Sequence, residues 1–94
     1  PIGVLELDPK RGKEDNCGWI SFLYLKPDYR GLGLGVQLIG MTEAYFFQKK
    51  RTAIRLHVAV TNEHAIGFYH HYGFRDLRID QGVASDQILM ERTM

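Results

Sequence analysis

Residues 29–38 read YRGLGLGVQL: an arginine, three glycines on alternate positions, then the start of an apolar pattern at helical spacing. The apolar residues Leu34, Leu38, Met41 and Tyr45 continue that spacing to the basic run KKR at 49–51, so a helix begins inside the glycine stretch. Lysine and arginine suit a helix C-terminus, and the KKR run reads as a solvated helix end. At the other end, the first amides of a helix have no internal partners and carry the positive end of its dipole. Glycines there remove the Cβ atoms that would keep a bulky anion from those amides, and Arg30 adds a formal charge. The same glycines would also serve merely to shape a strand-to-helix turn.

Two familiar phosphate cradles fail on this stretch. The dinucleotide fingerprint G-x-G-x-x-G puts Val36 in its last place when counted from Gly31, and Leu38 when counted from Gly33. A P-loop needs Gly-Lys-Ser/Thr at the helix start, and no lysine lies between 27 and 48. What remains is R-x-x-G-x-G, from Arg30 through Gly33 to Gly35.

Outward from the glycines, GWISFLYLKP at 18–27 is rich in aromatic and β-branched residues and stops at a proline, as a buried strand does. AIRLHVAVT at 53–61 alternates Ile54, Leu56, Val58 and Val60 with Arg55, His57, Ala59 and Thr61, a second strand. Asn62 is a good N-cap for a helix over about 63–72, and Gly73 supplies its left-handed stop. Phe74 then folds back toward Phe68 or Tyr69. PIGVLELD at 1–8 is an opening strand, and KRGKEDNCG at 10–18 a charged hairpin loop that holds Cys17. FRDLRID at 74–80 and QILMERTM at 87–94 are weaker strands joined by a hairpin. The order is β-β-α-β-α-β-β. That is an α/β (α+β) chain whose mixed sheet is mostly antiparallel.

Bulk properties bound the rest. Ninety-four residues make one domain, with 45% hydrophobic and 24% charged residues, ordinary for a globular protein. A net charge of +1 is too mild for a nucleic-acid-binding footprint. The longest apolar run, WISFLYL at 19–25, is too short to span a bilayer, so no membrane partner is expected. With one cysteine there is no intrachain disulfide, and the default setting is cytoplasmic.

A second motif, TNEHAIGFYHHYGF at 61–74, joins the first. Together, strand-Pro-x-Tyr-Arg-x-x-Gly-x-Gly and Asn-x-x-Ala-x-x-Phe-Tyr-x-x-x-Gly-Phe resemble the GNAT superfamily of acyl-CoA-dependent N-acetyltransferases. The resemblance covers residues 18–75 and implies a truncated acyl-CoA N-acyltransferase fold. It implies that the anion is the pyrophosphate of coenzyme A, held beside Arg30 by the backbone of Gly31, Leu32, Gly33, Leu34, Gly35 and Val36. It implies a first strand that splays from its neighbour, so that main chain at Leu23, Tyr24 and Leu25 binds the pantetheine arm. One amide there would face the thioester carbonyl. Asn62 would touch the cofactor as well as cap its helix. The cosubstrate would be acetyl-CoA, and the acceptor a small-molecule or peptide amine.

Two side chains then become candidates for proton transfer. Tyr69 holds the position whose tyrosine commonly protonates the departing thiolate, although an aromatic on an amphipathic helix is equally a core residue. His57 holds a strand position at which relatives acting on protein N-termini carry a proposed base; its bland alternative is a half-buried histidine bonded to a carbonyl. Where some such relatives pair that histidine with a tyrosine, this chain has Trp19. His64, His70 and His71 form no i, i+4 pair, so no metal site is expected and they read as surface histidines. The resemblance also implies a missing segment before Pro1, which would cover one sheet face and build the acceptor pocket. The Arg55–His57–Ala59 side is therefore expected to be an open apolar face, and the chain a homodimer that exchanges strands or a piece of a longer protein. A non-catalytic acyl-CoA-binding module is the alternative to an enzyme.

Overall fold

The structure, a computed structural model, describes residues 3–31 and 33–94. Leu32 and the first two residues of the expected opening strand lie outside the described residues. Strand β1 (Gly3–Asp8) turns back into β2 (Cys17–Leu25), then come helix α1 (Leu34–Gln48), β3 (Ala53–Ala59), α2 (Glu63–His71), β4 (Arg75–Asp80) and β5 (Gln87–Thr93). The five strands lie in the order β1-β2-β3-β5-β4, and every neighbouring pair is antiparallel except β2 with β3. Parallel neighbours need a crossover, and α1 is that crossover.

The parallel pair is brief. Cys17 meets Ala53, Gly18 meets Ile54 and Trp19 meets Arg55, and the ladder ends there. Beyond Trp19, β2 continues to Leu25 bonded only to β1, while β3 continues to Ala59 bonded only to β5. The strands thus part into a V, as the resemblance implies. Close to the fork the β1–β2 register shifts: Leu7 faces Ile20 but Glu6 faces Phe22, so Ser21 is an extra residue bulged out of the ladder. Such a bulge bends its strand and sharpens its twist.

Both helices pack on one face of this sheet. Ile54, Leu56 and Val58 of β3 join Ile20, Met90, Ile39 and Phe46 of α1, Tyr69 of α2, and Phe74 in a single buried cluster. Gly18 is required at the crossing, because a Cβ there would run into the Phe46 ring. The left-handed stop is realised at Gly73, with φ 87°, and Phe74 folds back so that its ring lies 5.4 Å from that of Tyr69.

Three sequence expectations need correction. The buried stripe of α1 is Gly35, Ile39, Thr42 and Phe46, one position on from Leu34, Leu38, Met41 and Tyr45; Met41 is 61% exposed. Hydropathy misses a stripe that includes a glycine and a threonine, whose hydroxyl is satisfied by donating to the Leu38 carbonyl at 2.9 Å. Cys17 is not in a polar loop but buried at the start of β2, and burial pushes its thiol up. The KKR run is not simply a solvated end either. Lys49 and Lys50 are exposed, but Arg51 is 6% exposed and donates to the carbonyls of Cys17 at 2.6 Å, Pro9 at 2.9 Å and Arg11 at 3.4 Å.

Arg51 therefore ties the β1–β2 loop to the closed end of the V. Arg51→Met keeps the stem and removes the donors, leaving carbonyls unpaired at a cost of about 2 kcal/mol. For a domain this size, the melting temperature should fall by roughly 8–16 °C. A melt within a degree or so of the parent would show that these bonds contribute nothing.

Candidate functional site

The open end of the V forms a cleft of about 700 Å³. Leu23, Tyr24 and Leu25 of β2 line one side, the glycine loop lines its mouth, and Asn62, Phe68, Tyr69 and Tyr72 line the side of α2. Of the cofactor residues expected from sequence, Leu23, Tyr24, Leu25, Arg30, Gly31, Gly33, Gly35 and Asn62 all border it. Leu34 and Val36 do not, and Val36 is 54% exposed on the outer side of α1. If either contributes, it does so through its amide alone.

The three alternate glycines have different reasons to be glycine. Gly31 and Gly33 hold φ angles of +80° and +78°, which side chains disfavour, and a Cβ at either would meet nothing within 4 Å. They are open backbone, fit for a close ligand. Gly35 is a packing glycine: a Cβ there would stand 2.6 Å from the Phe68 ring and 3.3 Å from the Tyr72 hydroxyl. Its absence of side chain lets α1 and α2 approach each other.

Gly33 caps α1 without any side-chain hydrogen bond, and the first turn holds no acidic residue. The positive end of this fifteen-residue helix is thus uncompensated at the cleft. Arg30 donates from Nε to the Leu25 carbonyl at 3.0 Å, which holds its guanidinium beside the same spot. These residues fit a diphosphate. The neighbouring end of α2 differs, because the Asn62 side chain accepts from the Ala65 amide at 3.2 Å and Glu63 occupies its first turn.

Tyr69 is 7% exposed, with its ring against Phe68 at 5.3 Å and Phe74 at 5.4 Å, yet it borders the cleft. It is a core residue and a cleft residue at once. Burial pushes its phenol up to about 12. It stays protonated through the neutral range, as a hydrogen-bond donor.

His57 is not in the cleft wall. It projects from the other face of β3, beside Trp19 at 5.2 Å between ring centroids, and its Nε2 lies 3.0 Å from Asp80 Oδ2. Its bland alternative, a bond to a carbonyl, is thus replaced by a carboxylate. Asp80 is held below the usual carboxylate range by hydrogen bonds from Arg78 first and His57 second. This partner was not read from the sequence, since Asp80 lies on a different strand at the end of β4. Nor is the face around it the bare apolar surface expected. Arg55 bonds Glu91 at 2.8 Å, Arg75 reaches the same carboxylate at 3.2 Å, and Arg11 covers Trp19 at 3.6 Å. Among the described residues of β1 and β2, the exposed large apolar side chains on this face are Val4, Phe22 and Tyr24. His70, read as a surface histidine, bonds Asp76 at 2.8 Å.

Comparison with known proteins identifies the family. The family model described as the acetyltransferase (GNAT) family matches residues 1–74. The chain belongs to this family. An uncharacterized N-acetyltransferase of Methanocaldococcus jannaschii is 30% identical over 87% of this chain. The match covers only 38% of that relative's length. Among solved structures, nourseothricin acetyltransferase shares the fold at a TM-score of 0.88 and 18% identity, over 98% of this chain and 57% of that one. PaiA N-acetyltransferase from Thermoplasma acidophilum, solved in complex with coenzyme A, aligns at a TM-score of 0.77 and 29% identity, over 99% of this chain and 54% of its own.

The division of labour among glycines in this GNAT chain is open to test by stability. Gly35→Ala should destabilise by about 1–3 kcal/mol through overpacking against Phe68. Gly40→Ala, in the same helix with open space around it, should stabilise by about 0.5–1 kcal/mol. Denaturant melts of the two variants should move in opposite directions; equal effects would contradict the packing role of Gly35.

Proposed function

We propose that this chain is a single GNAT domain that binds acetyl-CoA and transfers the acetyl group to a primary amine by direct attack on the thioester. The observation that carries this reading is the cleft. It runs from an uncapped helix N-terminus with open glycines, along the unpaired edge of β2, to a buried tyrosine hydroxyl. Acetyl-CoA supplies the activated acyl group, and the amides near Gly31, Gly33 and Gly35 with Arg30 hold its diphosphate. The edge of β2 at Leu23, Tyr24 and Leu25 takes the pantetheine arm as an added strand. An amide of that edge stabilises the charge that develops on the carbonyl oxygen.

Two protons leave the amine, which arrives as an ammonium ion. One passes to His57, directly or through water, and from there to solvent, freeing the nitrogen lone pair for attack. As the C–N bond forms and the C–S bond breaks, Tyr69 donates a hydrogen bond to the departing sulfur. With a phenol near 12 and an ordinary thiol near ~8.5, full transfer from oxygen is uphill. Tyr69 therefore stays a phenol and acts by hydrogen-bonding the thiolate, while the second proton leaves the nitrogen after attack and reaches the sulfur through water. The products are the acetamide, free coenzyme A and one released proton.

The acceptor is a small-molecule or peptide amine. Acetyl-CoA as cosubstrate and a single reduced cysteine fit a cytoplasmic setting, and neither a metal nor a nucleic acid is invoked.

At a hundred times its dissociation constant, acetyl-CoA should stabilise the chain by about 2.7 kcal/mol. That corresponds to a rise in melting temperature on the order of ten degrees, which NADH should not reproduce. Tyr69→Phe should retain the same shift while slowing turnover by about 100-fold. Binding with no turnover of any amine would instead identify a non-catalytic acyl-CoA-binding module. Absence of a shift in a chain that melts cooperatively would sink the cofactor reading.

We also propose that the chain self-associates as a homodimer, with strand exchange as one route. Val4, Phe22 and Tyr24, 38%, 50% and 41% exposed on one face of β1 and β2, support this reading. Light scattering should give twice the chain mass; a monomer at high micromolar concentration would reject it.

A further inference from the structure

We infer that Asp80 is the positioning residue for His57, fixing the imidazole so that Nε2 bears the hydrogen and Nδ1 is the atom that accepts the amine's proton. The inference rests on the base role proposed above for His57 and assigns the atom and the partner that the role requires.

Sheet register explains how the two residues meet. His57 on β3 pairs with Leu89 on β5, and Leu89 pairs with Arg78 on β4. Asp80 lies two residues farther along β4, paired through Gln87 with Ala59, and therefore shares the face of His57. The β4–β5 register slips between Asp76 and Arg78, which sets the parity of the residues beyond it. His57 and Asp80 consequently reach toward each other across β5, over Leu89, which is 1% exposed.

Each Asp80 oxygen has a side-chain partner. Oδ2 faces His57 Nε2 at 3.0 Å and Oδ1 accepts from Arg78 Nε at 2.7 Å. An ionised carboxylate only accepts hydrogen bonds, so Nε2 is the donor and the lone pair of the neutral ring falls on Nδ1. When Nδ1 takes a proton, the resulting imidazolium already has its counter-ion in contact. Among the described residues, His57 Nε2 has no other hydrogen-bond partner. Trp19, from β2, offers only an indole N–H under the Arg11 guanidinium, and Leu89 of β5 is apolar. Arg55, the next residue on this face of β3, is occupied by Glu91 and stands 4.0 Å from Asp15, while Arg75 also bonds Glu91. Arg78 moderates the pair by sharing the Asp80 charge.

A purely structural ion pair would join β4 to β3 just as well, so the test must read the ring itself. In the intact chain labelled with ¹⁵N-histidine, long-range ¹H–¹⁵N spectra should show neutral His57 as one tautomer, with hydrogen on Nε2. In D80A the two nitrogens should move toward the averaged shifts of a free imidazole. In D80E, which restores a carboxylate acceptor, they should return toward the single parent tautomer. A parent ring carrying hydrogen on Nδ1, or nitrogen shifts unmoved in D80A, would overturn the assignment. These readouts need no turnover, so they stand apart from the base role. That role fails separately if H57Q retains the acidic limb of the rate profile.

Discussion

Everything in this molecule depends on a parallel ladder three residues long. Cys17 to Trp19 pair with Ala53 to Arg55, and then the two central strands of the sheet separate. Interrupting a sheet at its centre leaves main-chain donors and acceptors without a ladder, and such groups are costly unless something bonds them. Each strand keeps its outer partner, β1 for β2 and β5 for β3, so neither is orphaned as a whole. The closed end is fastened by more than the ladder. Thr52 donates its amide to Asn16 at 2.6 Å, Met94 donates to Thr52 at 2.9 Å, and Arg51 gathers three carbonyls. At the open end the unpaired edge of β2 and a helix pair enclose space instead of core, which is where an extended ligand can finish the sheet.

The V also separates two chemical environments. On the helical face lie the buried cluster, the cleft and Tyr69, in surroundings apolar enough to raise its phenol well above the ordinary value. On the other face lie His57, Asp80 and a lattice of arginines and carboxylates, partly exposed to water. A reaction that withdraws protons from an incoming nitrogen and supplies hydrogen to a leaving sulfur uses two such environments. On the proposed function, burial would keep Tyr69 a neutral donor, while His57 would work beside the Asp80 carboxylate. Mixing the two on one face would let each undo the other.

Sequence reading recovered what local chemistry encodes. The order of strands and helices, the Gly73 stop, the Phe74 return and the glycine loop are each announced by residues a few positions apart. What it missed depends on distant pieces meeting. Arg51 looked like the last of three solvated cations because its acceptors, the carbonyls of Pro9, Arg11 and Cys17, lie about 34–42 residues earlier. Asp80 was unremarkable until β5 placed it diagonally across from His57. The face of α1 was read one position off because its contacts are made by Gly35 and Thr42, whose burial comes from close approach and a satisfied hydroxyl. Gly35 itself was read as part of an anion cradle, and Phe68 and Tyr72 show it to be a contact between helices.

The choice between the two helix ends at the cleft completes the electrostatic argument. Both point amides toward the same space, and net charge near +1 gives no global pull on an anion. Selection must therefore be local. At α2 the Asn62 side chain already occupies the Ala65 amide, and the Glu63 carboxylate opposes further negative charge. At α1 the cap is a glycine with no side-chain bond, no acid follows in the first turn, and Arg30 is tethered beside it. A diphosphate in the cleft is drawn to one end and repelled from the other. On the proposed function, that polarity would set the direction of the ligand, with phosphates toward Gly31 and Gly33 and the rest of the molecule along β2 toward Tyr69.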